Sequence, residues 1–187
     1  MARTEFKPGN MLYPLPVVLV SCADGRGSEN VLTVAWTGTV CSDPAMVSIS
    51  VRPSRHSYAM IKESGQFVIN LVTRDLVEAT DYCGVKSGKD VDKFKDMHLT
   101  KCPSKTVIAP SIAESPVSIE CQVTQEMPLG SHTMFLAKVT GVTVDDAYMD
   151  EKGTFHLEQA DPVAYSHGKY YTLGELLGSF GYSVKKK

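Results

Sequence analysis

Apolar and polar positions alternate with a period of two from Met46 to Val51, with Val47, Ile49 and Val51 on one side and Met46, Ser48 and Ser50 on the other. That spacing predicts a half-buried β-strand. Val17 to Ser21 is β-branched and apolar and runs into the turn cluster Asp24-Gly25-Arg26-Gly27, which predicts a strand leading into a connection. Val31 to Val40 sets Thr33, Ala35, Thr37 and Thr39 against Val34, Trp36, Gly38 and Val40. Small or β-branched residues on both faces suit one strand that is covered on both sides or shows one face to a ligand. Phe67 to Val72, Val117 to Gln125, Thr133 to Val144 and Val163 to His167 complete the predicted strands.

The period changes after Arg52-Pro53. Ser54 is placed to cap a helix, Tyr58, Met60 and Ile61 form its apolar stripe, and Gly65 is placed to end it. A second helix is expected over Asp75 to Cys83, and Tyr170 to Phe180 carries Leu173, Leu176, Leu177 and Phe180 at helical spacing. Residues 84–106 are polar and lysine-dense and read as a loop with a short helix; so long a loop in a compact domain is often functional. Strands dominate without alternating regularly with helices. The expected fold is therefore mainly β, an antiparallel barrel with a few peripheral helices, rather than a doubly wound parallel sheet.

A length of 187 residues predicts a single domain over the whole chain, and 43% hydrophobic with 21% charged residues excludes disordered, collagenous and coiled-coil classes. The net charge of −2 argues against a nucleic-acid partner, and Lys185 to Lys187 reads as a solvated tail. Five scattered cysteines, an odd number, suit a reducing compartment and a cytoplasmic protein. No Cys or His pair has metal-site spacing, so no metal is expected. Leu19-Val20-Ser21-Cys22 has the look of a lipoprotein processing site, but Glu5, Pro14 and Pro16 interrupt the pattern that export requires. No apolar run reaches the length of a membrane span, so no membrane is expected.

Candidate chemistry concentrates in Ser50-Val51-Arg52-Pro53-Ser54-Arg55-His56-Ser57. Arginine forks, hydroxyls and the unpaired N–H groups of a helix start together make an anion site, with phosphate the expected occupant. A solvated, well-capped helix start is the competing interpretation. The run from Asn30 to Thr39 holds the only tryptophan and leaves room over its backbone for a flat ligand, although a lone Trp36 is more often a core residue. His132 sits in a turn ahead of a strand, where it either reaches a pocket or serves as a surface cap. Nucleophile elbow, Walker loop and dinucleotide fingerprint are all missing.

Taken in order, Pro16-Val17-Val18-Leu19-Val20, Asn30 to Thr39, Cys41-Ser42-Asp43-Pro44, Ser48 to Ser57 and Gly65-Gln66-Phe67-Val68-Ile69-Asn70-Leu71 resemble the flavin reductase-like family of FMN-binding split barrels. Ser87 to Phe94, the Gly130-Ser131-His132 turn and Tyr170-Tyr171-Thr172-Leu173-Gly174 resemble its flavoredoxin and ferric reductase branch. The resemblance covers residues 11 to 182. It implies a six-stranded antiparallel split barrel that forms a homodimer, with FMN near the subunit interface. Residue by residue, it implies that Arg52 and Ser57 grip the phosphate with help from Ser50, and that Lys89 and Lys93 belong to a loop approaching phosphate or ring. Asn30, Trp36, Thr37, Gly38 and Thr39 match the strand and turn beside the ribityl chain and isoalloxazine. His132 and Tyr165 match positions near the ring, from the same or the neighbouring subunit, and His132 or Lys93 would stabilise the reduced flavin. Where many relatives read Asp-Pro-Pro, this chain has Asp43-Pro44-Ala45, which bears on loop rigidity. Cys41 matches a cysteine of some relatives, either redox-active or a small buried residue beside the pocket.

Two functions follow from the resemblance. One is an oxidoreductase passing electrons from NAD(P)H through bound FMN to an acceptor such as free flavin or ferric iron. The other is a flavoredoxin-like carrier that shuttles electrons between redox partner proteins with little direct NAD(P)H activity. A barrel with a degenerate pocket is the third possibility.

Overall fold

A computed structural model describes residues 1–184; Lys185 to Lys187, read above as a tail, lie outside the described residues. The chain opens with β1 (Leu15–Pro16), β2 (Val18–Ala23), β3 (Glu29–Val34), β4 (Thr37–Ser42) and β5 (Ala45–Val51), followed by helix α1 (His56–Ser64) and β6 (Gln66–Leu71). A 3₁₀ turn leads into α2 (Val77–Val85), and α3 (Lys93–Asp96) precedes the short pair β7 (Lys101–Cys102) and β8 (Ser111–Ile112). Two long strands, β9 (Val117–Leu129) and β10 (His132–Val144), come next, and the hairpin β11 (Val163–Ser166) and β12 (Lys169–Thr172) completes the strands.

The main sheet has seven antiparallel strands in the order β3-β2-β6-β9-β10-β5-β4, one more than the six the resemblance implied. Period-two alternation explains its two cores. Val18, Val20 and Cys22 of β2 join Leu32, Ile49, Phe67 and Phe135 in an inner cluster that also takes Met60 and Ile61 of α1. The odd positions Leu19 and Val31 face the other way, packing with Ala79 and Cys83 of α2 and with Phe94 of α3. β2 is therefore buried on both faces, which is why its sequence is apolar throughout rather than alternating.

Three local expectations are corrected. The run Val31 to Val40 is two strands, not one, broken at Ala35-Trp36. There Ser50 N donates to Trp36 O at 2.8 Å and Thr37 N donates to Ala35 O at 3.0 Å, so the chain leaves β2 and joins β5. Since β3 and β4 stand at opposite ends of the strand order, the Trp36 bend links the two edges of the sheet. Second, the helix expected over Tyr170 to Phe180 does not form. His167 and Gly168 both have positive φ (47° and 77°), the backbone of a type I′ turn, so Tyr170 pairs with Tyr165 in a hairpin and Leu173 to Phe180 lie outside regular structure. Third, the N-cap of α1 is Arg55 rather than Ser54, while Gly65 ends the helix in the left-handed region as expected, at φ 64°. All five cysteines are free.

Candidate functional site

The start of α1 bears no side-chain cap and no acidic residue in its first turn, so its N–H groups keep their affinity for an anion. These groups open on a cavity of about 170 Å³ between α1, the barrel strand β3 and the end of α2. Arg55, His56, Lys86 and Lys93 line it together with Asn30 and Ser57, and no carboxylate is among its lining residues.

Lys93 is the most telling of these side chains. It is 4% exposed, and its Nζ donates to Val31 O at 2.9 Å and Cys83 O at 2.8 Å, both neutral acceptors. Burial holds its pKa below the ordinary lysine range, with Cys83 opposing and Arg55 reinforcing that shift. A buried ammonium with a third proton and no counter-ion is costly unless an anion joins it. By contrast, Arg26, Arg74 and Lys101 all pair with carboxylates on the surface.

Ser57 is aimed by its neighbours. Asn30 Nδ2 donates to Ser57 Oγ at 2.7 Å, which occupies an acceptor site of the hydroxyl and leaves its proton to be given elsewhere. The thiols nearby are unreactive: burial pushes Cys22 and Cys83 up to about 11.

A slot of about 330 Å³ continues from this cavity, with Thr33, Arg55 and Gly84 lining both. Trp36, Tyr165 and Tyr170 give the slot aromatic walls, and Tyr170 OH donates to Asp81 Oδ1 at 3.0 Å. Burial, then this bond, pushes the Tyr170 phenol up to about 12, so it stays a hydrogen-bond donor. Beyond Trp36 and Ser50, which line the slot and a third cavity alike, lies a space of about 620 Å³ holding Arg52 and His132.

The expected site residues therefore divide among several places. Asn30, Ser57 and Lys93 meet at the α1 cavity, and Trp36, Ser50 and Tyr165 meet at the slot. Arg52, expected beside Ser57, instead shares a cavity with His132. Lys89 lines an outer groove with Glu29, Asp90 and Asp92 rather than the α1 cavity itself. Thr37 Oγ1 is engaged by Ser48 O at 2.8 Å, and Thr37, Gly38 and Thr39 run along an edge strand that lines none of these three cavities. Cys41 lies on the same strand, half-buried, with Sγ against Asp43 O at 3.4 Å, rather than buried beside a pocket. Two further residues contribute. Arg55 is the cation shared by cavity and slot, and its sequence signal is its place in the Ser50 to Ser57 cluster; Tyr170 reaches the slot from the β11–β12 hairpin, which the helical spacing after it conceals.

Residues 10–174 match the model of the flavin reductase like domain. A flavoredoxin of Desulfovibrio vulgaris (Miyazaki F) is 31% identical and superposes with a TM-score of 0.90 over 98% of this chain and 100% of its own. A flavoredoxin from Methanosarcina acetivorans is 26% identical, with a TM-score of 0.87 and 98% of each chain covered. The NADH-dependent FMN reductase AsuE2 of Streptomyces nodosus subsp. asukaensis is 25% identical over 91% of this chain and 85% of its own. With a split-barrel fold and a family match over most of its length, the chain belongs to the flavin reductase-like domain family.

Proposed function

We propose that this protein is an FMN-binding oxidoreductase that takes electrons from NAD(P)H and passes them to an acceptor such as free flavin or ferric iron. The carrying observation is the acid-free cavity at the start of α1, where Lys93 is buried with no counter-ion among the described residues beside Arg55 and Ser57 and the space runs on into an aromatic-walled slot. A dianionic phosphate joined to a flat ring system fits that pairing of features. Ser57, Arg55, Lys93 and the first-turn N–H groups would hold the phosphate, while Trp36, Ser50 and Tyr165 would hold the ring. FMN, when bound, supplies the electron-transfer chemistry; the chain's part is to bind, orient and shield.

The flavoredoxin likeness supports a second reading, a carrier of electrons between redox partner proteins with little direct NAD(P)H activity. Two measurements decide. Purified protein should bind FMN more tightly than riboflavin, since only FMN has the phosphate, and failure to bind either sinks the proposal. Rapid mixing of the loaded protein with NADH or NADPH should then bleach the flavin band, and its absence leaves the carrier.

We further read the protein as a cytoplasmic homodimer. Leu12, Leu173, Leu176, Leu177 and Phe180 stand 62 to 107% exposed, and a second copy seated on them would take them out of water. Sedimentation at micromolar concentration tests this, a monomer refuting it. No described helix is long and apolar enough to cross a membrane.

A further inference from the structure

The slot beside the α1 cavity is walled by two separate parts of the chain, and one hydrogen bond between side chains ties those parts together. We propose that Asp81 is a positioning residue for the slot: by accepting the Tyr170 hydroxyl it fixes Tyr170, and through it Tyr165, as the wall against which a flat ring system lies. The inference rests on the reading of the slot as the place of the cofactor's ring.

Three observations carry it. Asp81 belongs to α2, with Gly84 and Val85 of the same helix also lining the slot, whereas Tyr165 and Tyr170 come from the β11–β12 hairpin. Tyr170 OH donates to Asp81 Oδ1 at 3.0 Å, and among the described residues this is the one side-chain hydrogen bond from residues 163–172 to the rest of the protein. The hairpin's backbone is held at its base, where Val163 N donates to Val72 O at 3.0 Å, and along β1, itself two residues long. Tyr170 stands on β12, the outer strand of that sheet, so Asp81 is what joins this strand to the helix.

Second, Tyr165 and Tyr170 are partners in register, with ring centroids 5.8 Å apart and planes tilted by 60°, so holding one ring limits the other. Third, among the described residues Asp81 is the only carboxylate lining the slot, and no Lys, Arg or His pairs with it. Its acceptor capacity is therefore left for the phenol, in a bond that a carboxylate makes stronger than a neutral acceptor would. Burial and then this bond push the Tyr170 phenol up to about 12, so the proton stays on Tyr170 and points at Asp81. What Tyr170 then offers a ligand is ring surface. A tyrosine fixed in advance also spares the ligand the cost of ordering it on binding.

The test is titration of the full-length protein with FMN and with riboflavin in the parent, Asp81→Asn, Asp81→Ala and Tyr170→Phe, together with the visible circular dichroism of the bound flavin at saturation. Asp81→Ala should weaken both flavins alike by about 3- to 10-fold, the effect of one lost hydrogen bond, because the slot serves the ring that they share. Tyr170→Phe should do the same, and the double variant should stay within about 2-fold of either single one. Asp81→Asn keeps an acceptor in place and should bind both flavins within about 2-fold of the parent and with its dichroism, whereas the other variants should share one altered spectrum. A lower melting temperature in Asp81→Ala with affinities and dichroism unchanged would reduce the bond to a brace between hairpin and helix and overturn the inference. A loss confined to FMN, or an Asp81→Asn that behaves like Asp81→Ala, would overturn it equally. Parent protein that takes up neither flavin sinks the cofactor reading and this inference together; parent protein that binds both, with variants that bind as it does, sinks the inference alone.

Discussion

Asn30 Nδ2 donates to Ser57 Oγ at 2.7 Å, and Gly88 lies so close above that pair that a Cβ at position 88 would stand 2.2 Å from Asn30 Oδ1. Three distant segments, strand β3, the first turn of α1 and the 87–92 loop, are thus fitted to one another at the α1 cavity. The absence of a side chain at position 88 is what lets the loop close on Asn30. Gly88→Ala should push Asn30 off Ser57 and weaken FMN by about 1–3 kcal/mol, the cost of unmaking a buried hydrogen bond. Asn30→Ala should cost a similar amount alone, and adding Gly88→Ala to it should cost little more, because the obstructing side chain is gone. Fully additive losses in FMN titrations of the four proteins would show that Gly88 acts by another route.

Much of the barrel was legible because strands announce themselves where burial is one-sided. Met46 to Val51 alternates and is a strand, and Gly65 ends α1 where its lack of a Cβ makes a left-handed residue easy. Structure departs from local pattern where tertiary geometry overrides it. Nothing between Val31 and Val40 marks a break, since the bend at Trp36 is held by Ser50, fourteen residues away in the chain and reachable only once the sheet closes. Likewise the leucine spacing after Tyr170 is helical, but Gly168 and the pairing of Tyr170 with Tyr165 decide the outcome. At the site, residue types were readable and groupings were not. Arg52 and Ser57 are five positions apart, yet Pro53 and the helix start turn them toward different cavities.

Trp36 is the only tryptophan and lines both the slot and the Arg52 cavity. Saturating FMN should therefore quench most of the protein's tryptophan emission, with riboflavin doing the same at higher concentration. Trp36→Phe would remove the signal while keeping an aromatic wall, and FMN affinity should fall by no more than about 1.5 kcal/mol, the range of an aromatic stacking contribution. Unchanged emission at saturation would place the ring away from Trp36.

The segment between β10 and β11 is fastened by an imidazole held at both nitrogens. His156 Nε2 meets Asp150 Oδ2 and Nδ1 meets Glu158 Oε1, each at 3.1 Å. These two bonds raise the His156 pKa, the Asp150 bond contributing more. A raised folded-state value means that the stabilisation is fully present below about pH 6.5, the unfolded value, and is lost as pH rises through the folded one. Asp150 runs the other way: hydrogen bonds from Thr154, then His156, lower it to about 2, so its contribution disappears only in strong acid. NMR titration should give His156 a midpoint above 6.5 that falls back in Asp150→Asn. A midpoint at or below 6.5 in the parent protein would mean that the clamp does not persist in solution.

Lys93 tests the α1 cavity most directly, because folding and ligand binding ask opposite things of it. In the protein alone, a 4% exposed ammonium held only by the carbonyls of Val31 and Cys83 is an expensive group. Lys93→Met keeps the length and removes the charge, at the cost of a donor to each carbonyl, so the two effects on folding oppose each other. Against a phosphate there is no such compensation. FMN affinity should fall by about 1.5–3 kcal/mol, the range for a charge-assisted bond, whereas riboflavin should change by less than about 3-fold. Millimolar inorganic phosphate should raise the melting temperature of the parent, as a ligand of the folded state must, and leave Lys93→Met unmoved. Equal losses of FMN and riboflavin would instead mean that Lys93 only braces β3 against α2, and that the phosphate lies elsewhere.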